Sequence, residues 1–468
     1  MVFSSPLFLF LFLPAVIGGY FLAPRRAKNL FLLAASLLFY LVGAGAYILI
    51  LLGSIVWNYW ATLRIERAEG AGRKLWLALS VAVNLAPLVV YKYGGFAVTT
   101  ADTVLAWMGA AGWPRPDIFL PAGISFFTFQ AIAYAIDIYR RELPACRSLS
   151  DYALFKAFFP QLIAGPIVRY HDIARELPGR VHSLGGVEAG LVRFGFGLGK
   201  KVLLADTLGR VSDSIFSLNH GSLGPSTAWL GALCYGFQIF FDFSGYSDMA
   251  IGLGRVFGLS LPENFRQPYR SSSVTEFWRR WHITLSTWFR DYLYIPLGGN
   301  RAGRLRTGLN LVTVFLLCGL WHGAAWTFVL WGLYHGCLLL AERILKASLG
   351  YAPSGLPGRV LTFLLVLVGW VLFRSHSLPQ ALDFLRAMLG FGGRAAPAFA
   401  AGGLLTPNII CYLVLATLCA FWPEAGPEPG RLARIGRILR PLAALTVTAL
   451  ALIAQAPQTF NPFIYFQF

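Results

Sequence analysis

Two tryptophan–histidine pairs, Trp281-His282 and Trp321-His322, stand forty positions apart in a chain with only seven histidines. A neutral imidazole can take a proton from a hydroxyl and return it to a leaving group. Acyl transfer from a thioester to an alcohol requires that proton traffic. Both pairs lie in or beside apolar runs. Titratable groups are expensive there and are functional candidates by default. His322 closes one apolar run and is followed by Gly323, with Gly319 three positions back, so small neighbours leave room for a ligand. The competing reading is a satisfied core histidine. His282 follows Arg279, Arg280 and Trp281, and its competing reading is an interfacial residue beside a cytoplasmic loop. His335 comes thirteen residues after His322, about 3.6 turns along a continuous helix, so a packing role is expected. His171, His182, His220 and His376 fall in or near loops and read as solvated.

The elements that must position these residues are those of a membrane protein. Of 468 residues, 57% are hydrophobic and 13% charged. A soluble domain carries about 25% charged residues. The thirty-eight Phe and fourteen Trp suit lipid-facing and interfacial belts. The formal charge of +18 is spread over several loops between apolar segments. That pattern fits the positive-inside rule rather than a nucleic-acid-binding face, and no nucleic-acid partner is expected. The six cysteines show no C-x-x-C spacing and read as buried free thiols, with no disulfide framework and no metal site.

Apolar runs predict an all-α, polytopic protein with helices near 5–22, 29–43, 46–62, 75–92, 117–138, 188–208 and 225–257. Further helices are expected near 308–320, 323–345, 358–374, 404–422 and 438–456, while 94–116 is ambiguous. Basic residues follow the first apolar run (Arg25, Arg26, Lys28) instead of preceding it, which predicts a retained first span with its N-terminus outside. The stretch Phe158-Phe159-Pro160-Gln161-Leu162-Ile163-Ala164-Gly165-Pro166 predicts a broken or re-entrant helix over 150–170. The run Gly195-Phe196-Gly197-Leu198-Gly199-Lys200-Lys201 lacks phosphate-loop spacing and reads as close helix packing. There is no H-E-x-x-H and no G-x-S-x-G.

Five blocks carry a resemblance: Phe158–Pro166, Gly197–Asp206, Phe237–Gly252, Asn264–Arg301 and Gly319–Trp331. Through them the chain resembles the membrane-bound O-acyltransferase (MBOAT) family, in its bacterial alginate O-acetylation branch. The resemblance covers nearly all of residues 1–468. It implies one membrane domain, with a core motif region at about 120–345 and C-terminal helices and an acyl-relay motif at 358–468. The implied fold is a ring of about 11–13 transmembrane or re-entrant helices around a thinned centre with a tunnel. The family's essential histidine falls on His322 and its second on His282. The implied activity is transfer of an acetyl group from cytoplasmic acetyl-CoA across the bacterial inner membrane. An extracytoplasmic SGNH-type partner then places it on an exported polysaccharide, such as alginate, cellulose or peptidoglycan.

The chain ends in Asn461-Pro462-Phe463-Ile464-Tyr465-Phe466-Gln467-Phe468. This is similar to the Phe-Ile-Tyr terminus of a small partner in teichoic-acid D-alanylation. The resemblance implies that Tyr465 relays the acyl group; the alternative is a tyrosine anchored at the interface. A tyrosine with pKa about 10 needs a base to act as a nucleophile, and His322 is the expected base. Arg279, Arg280, Arg301, Arg304 and Arg306 are expected near the donor phosphates, although the same residues satisfy the topology rule. Asp242 and Asp248 are possible buried partners that need not share a face. Two other readings stand beside this one: a non-catalytic transporter or channel for an acyl donor or polymer, and a family member acting on a lipid acceptor.

Overall fold

The computed structural model describes residues 2–114, 118–218, 222–301, 303–393, 401–423 and 431–456. Among them every regular element is helical. Six stretches are long and apolar enough to cross a membrane: 25–67, 70–107, 303–322, 326–349, 355–374 and 438–455. Shorter apolar helices lie at 7–22, 124–139 and 407–421. The protein is an all-α, multi-pass membrane protein.

The chain forms two compact units, residues 1–191 with 249–262, and residues 192–248 with 263–468. The first contains α1 (Leu13–Leu22), α2 (Lys28–Ala44), α3 (Ile48–Arg67), α4 (Gly70–Leu88), α5 (Gly94–Trp107), α6 (Ile124–Tyr139), α7 (Leu149–Ala157), α8 (Phe159–Leu162) and α9 (Tyr170–Ile173). The expected break falls between α7 and α8, where Phe158 leaves helical geometry at ψ 110° and Pro160 opens the next short helix. Protein groups satisfy the broken backbone, as buried non-helical chain demands. Ser36 Oγ accepts the Phe159 N–H at 3.2 Å, and Gln161 Nε2 donates to Phe155 O at 2.6 Å. Gly123 holds φ +76°, and a Cβ there would stand 2.6 Å from Leu162 O, so only glycine admits the broken segment this closely.

Two further helices carry residues of both units, α10 (Leu184–Gly199) and α12 (Pro225–Val256), with α11 (Asp206–Phe216) between them in the chain. The second unit continues with α13 (Val274–Arg280), α14 (Ile283–Phe289), α15 (Gly303–His322), α16 (Trp326–Leu349), α17 (Gly355–Arg374), α18 (Leu378–Arg386), α19 (Ala401–Leu404), α20 (Pro407–Phe421) and α21 (Arg431–Gln455). The glycines before Lys200 do serve packing. A Cβ at Gly195 would stand 2.6 Å from Thr448 Oγ1 of α21, and one at Gly199 would run into the Val447 side chain.

The short helices α13 and α14 lie in a stretch for which the apolar pattern predicts no helix. Local capping accounts for α13. Ser273 Oγ accepts the Glu276 N–H at 3.1 Å, and Glu342 of α16 accepts the Thr275 N–H at 2.9 Å. A carboxylate on the first turn also meets the positive end of the helix dipole.

The thiols depart from expectation. Cys234 and Cys318 are buried and Cys146 is half-buried, but Cys337, Cys411 and Cys419 are exposed, and all six are free. Apolar sequence marks lipid-facing and core-facing positions alike, so it could not separate the two groups.

Candidate functional site

His282 occupies the break between α13 and α14. Its φ of +41° is left-handed, a conformation that costs a non-glycine residue of order 1–3 kcal/mol. The side chain is fully buried. Asn264 holds it: Asn264 Oδ1 accepts from His282 Nδ1 at 3.0 Å, from the Thr284 N–H at 3.3 Å and from Thr284 Oγ1 at 2.9 Å. The Thr284 N–H can only donate, so it fixes the amide orientation. Nδ1 of His282 therefore carries the proton, and Nε2 is the basic nitrogen. Asn264 Nδ2 donates to Ser247 Oγ at 3.2 Å. The preceding residue, Glu263, accepts from Arg193 Nη1 at 2.6 Å. Backbone bonds from Arg266 N to Arg280 O (3.0 Å) and from Ile283 N to Asn264 O (2.9 Å) tie the loop to the break.

His322 is the last residue of α15 and is 4% exposed. Three aromatic rings meet its imidazole edge to face: Trp321 at 4.9 Å, Trp331 at 5.1 Å and Phe373 at 5.2 Å between centroids. Trp321 also meets His282, at 6.0 Å. The two pairs are thus joined through one indole. Trp281 reaches the same cluster by another route, with Trp370 at 4.8 Å and Trp331 a further 6.1 Å on.

The room expected around Gly319 and Gly323 is taken. A Cβ at Gly319 would collide with Phe328 O, and one at Gly323 with the Phe328 ring. Gly332 packs against Phe315 O in the same way, and Gly336 against Val312 Cα, where a Cβ would stand at 3.1 Å. These pairings run in opposite directions along α15 and α16, so the two helices form an antiparallel hairpin at glycine-permitted distance. His335 is therefore not 3.6 turns along the axis from His322. It is buried against Trp331 at 5.1 Å, the same ring that meets His322, and its Nδ1 accepts from Trp278 Nε1 at 3.4 Å.

Space for a ligand lies beside α15 instead. A cavity of about 250 Å³ is lined by Trp278 and Arg279 of α13, Leu285, Ser286 and Phe289 of α14, Arg290, and Val314 and Cys318 of α15, among others. Cys318 lies one helical turn before His322. The walls are largely apolar, and Arg279 and Arg290 supply the charge.

The family model of the membrane-bound O-acyltransferase family matches residues 140–350. The probable alginate O-acetylase AlgI of Azotobacter vinelandii is 44% identical over 505 aligned residues, covering 100% of both chains. Its counterpart in Pseudomonas putida is 43% identical, again over 100% of each. The peptidoglycan O-acetyltransferase of Helicobacter pylori is 40% identical over 84% of this chain and 80% of its own. The chain belongs to the membrane-bound O-acyltransferase family.

As an MBOAT acyltransferase the protein brings some of the expected residues together and not others. His282 and His322 converge. Of the five arginines, only Arg279 lines the cavity. Arg280 donates to Glu276 Oε1 at 2.9 Å and to Arg266 O at 3.2 Å. Arg301, Arg304 and Arg306 are exposed around the start of α15. Tyr465 lies outside the described residues, as does His220. Asp242 pairs with Lys201 at 2.7 Å, and Asp248 with Lys200 at 2.6 Å and Arg193 at 2.8 Å. They do take separate partners. His182 is not simply solvated, since its Nε2 lies 2.8 Å from the Tyr20 hydroxyl. Asn264, Trp331, Phe373 and Arg290 also belong to the site, and the apolar pattern does not single them out. For Asn264 there is a usable signal: it opens the block Asn264–Arg301 that carries part of the resemblance, eighteen residues before His282.

Proposed function

We propose that this MBOAT acyltransferase is an inner-membrane O-acetyltransferase. It takes an acetyl group from cytoplasmic acetyl-CoA and passes it across the membrane for O-acetylation of an exported polysaccharide of the alginate type. The reading is carried by the convergence of two Trp–His pairs on Trp321, in a chain 43–44% identical end to end to named alginate O-acetylases. The transporter reading is set aside by membership of an acyltransferase family. The H. pylori relative supports peptidoglycan as a second acceptor class.

In this reading the pantetheine arm enters the cavity bounded by Arg279, Ser286 and Cys318, with the donor phosphates toward Arg279 and Arg290. The acceptor hydroxyl oxygen attacks the thioester carbonyl carbon while His322 takes the hydroxyl proton. The carbon–sulfur bond then breaks, and His322 returns the proton to the coenzyme A sulfur. His282, held by Asn264, orients the reacting groups through its contact with Trp321. Tyr465 is the acceptor that relays the acetyl group to an SGNH-type partner outside the membrane.

The test is coenzyme A release from acetyl-CoA by purified protein with its partner, together with the acetyl content of the exported polymer. His322→Ala should lower both by about 10²–10⁴-fold, the usual contribution of a general base, while the protein still inserts and elutes as a folded species. Normal acetyl content in that variant would sink the assignment. Tyr465→Phe should stop acetylation of the partner while leaving acetyl-CoA binding intact; continued partner acetylation makes it an anchor.

A further inference from the structure

The first unit contains a cluster of basic side chains. It is built around Tyr20, near the C-terminal end of α1. Arg180 Nη1 donates to the Tyr20 hydroxyl at 3.2 Å, and His182 Nε2 lies 2.8 Å from the same oxygen. The Lys28 ammonium stands 4.4 Å from the centre of the Tyr20 ring and 5.1 Å from that of Phe21. Burial first, then the charges of Lys28, Arg180 and Arg25, hold the His182 imidazole below its ordinary value. Four basic side chains thus share one small region. Gly258, at φ +74°, lets the 180–182 segment come this close, since a Cβ there would stand 3.2 Å from His182 Nε2 and 3.4 Å from Arg180 Cβ.

None of Arg25, Lys28, Arg180 or His182 has a carboxylate within ion-pair reach among the described residues. Glu176, four residues before Arg180 in the chain, accepts the Ser260 N–H at 2.7 Å. Arg180 Nε and Nη2 are buried with no hydrogen-bond acceptor. A guanidinium in that state is costly, and a charged oxygen beside it removes the cost. A guanidinium fork with an ammonium beside it is the donor set that phosphate selects. What lies next to the cluster indicates where the phosphate comes from. Phe21 and Leu22, at the end of the apolar α1, are 41% and 88% exposed. An apolar ledge ending in a basic cluster matches an acyl chain ending in a headgroup.

We propose that Arg25, Lys28, Arg180 and His182 form a binding site for the phosphate of an anionic phospholipid, with Phe21 and Leu22 against its acyl chains. The inference is independent of the acyl-transfer reading, because no residue of that site takes part.

The experiment uses the full-length protein in mild detergent, with phosphatidylglycerol as the probe. Retained lipid is read by native mass spectrometry, and the thermal midpoint is followed as lipid is titrated. Phosphatidylglycerol should be retained and should raise the midpoint more than phosphatidylcholine, whose choline offsets its phosphate. The double variant K28Q/R180Q should weaken retention about fivefold for each charge removed. Arg25 is exposed, so Arg25→Gln will fold even if the double variant does not, and it should weaken retention about fivefold. Unchanged phosphatidylglycerol binding in Arg25→Gln and in a folded double variant overturns the proposal. So does an equal rise in midpoint with inorganic phosphate or coenzyme A, which would make the occupant a soluble phosphate.

Discussion

The imidazole of His282 and the indole of Trp321 stand with ring centroids 6.0 Å apart, at an interplanar angle of 61°. Through this contact two motifs from opposite ends of a forty-residue stretch become one cluster. The price is local: His282 keeps a left-handed backbone at the break between two seven-residue helices, α13 and α14.

That backbone makes a prediction about stability apart from chemistry. Both His282→Ala and His282→Gly delete the imidazole and leave Asn264 Oδ1 with fewer donors. Only glycine accepts φ +41° without strain. His282→Gly should therefore be about 1 kcal/mol less destabilised than His282→Ala in denaturation of the detergent-solubilised protein. Equal stabilities would mean that the segment relaxes and that the strain is not held in place. Acyl transfer should be impaired in both.

The α15–α16 hairpin predicts an asymmetric rescue. Gly323→Ala drives a methyl group into the Phe328 ring, and Gly319→Ala drives one into the Phe328 carbonyl oxygen. Each should cost about 1–3 kcal/mol by overpacking. Phe328→Leu should restore part of the loss in Gly323→Ala but none in Gly319→Ala, because the second collision is with backbone. A double-mutant cycle on thermal or denaturant midpoints measures the difference.

His171 predicts a pH dependence on the alkaline side. Its Nδ1 lies 3.5 Å from Asp137, and its Nε2 lies 3.2 Å from Asp172. The hydrogen bonds to Asp137 and then Asp172 raise the imidazole to about 9, above its ordinary 6.5. Because the folded value is the higher one, the stabilisation is complete below about pH 6.5 and is lost as pH rises through 9. The side chain is 42% exposed, so solvent screening keeps the effect small. The parent's midpoint should fall between pH 7 and 10 more steeply than that of His171→Gln. Parallel curves would exclude the pair as the cause.

The cavity separates the arginines. Arg279→Gln should raise the KM for acetyl-CoA severalfold with little change in kcat, as expected when binding shared by ground and transition states is removed. Arg280→Gln loses a half-exposed pair with Glu276 and should change stability by no more than about 1 kcal/mol, leaving KM alone. Arg304→Gln and Arg306→Gln should leave both unchanged. A shared rise in KM across all four would point to a diffuse basic surface instead of a defined cavity.

Much of the helical architecture was legible because hydrocarbon imposes a length and a composition on any segment that crosses it. The break at Phe158–Pro166 was equally legible, since two prolines and a glycine in an apolar run leave few alternatives. The helices α13 and α14 were not. Their apolar pattern is short, and the Ser273 cap of α13 is completed by Glu342, sixty-eight positions beyond Val274. The glycines at 319 and 323 imply space, but nothing along the chain says that Phe328 occupies it. The arginines read only as positive charge along the chain, and the fold alone divides Arg279 on the cavity from Arg280 on Glu276.

The sequence by itself determined that this is a multi-pass helical membrane protein of the MBOAT family, and it singled out His282 and His322. Composition, apolar run length and ordered motif blocks are local properties, and local properties survive in a linear chain. Only the tertiary structure decided that the two histidines share Trp321, that Asn264 leaves His282 with Nε2 as its basic nitrogen, and that the open volume lies on the Cys318 face of α15. Each of these depends on contacts between residues far apart in sequence. Those contacts are fixed by hydrogen-bond geometry and close packing, which no periodicity along the chain records.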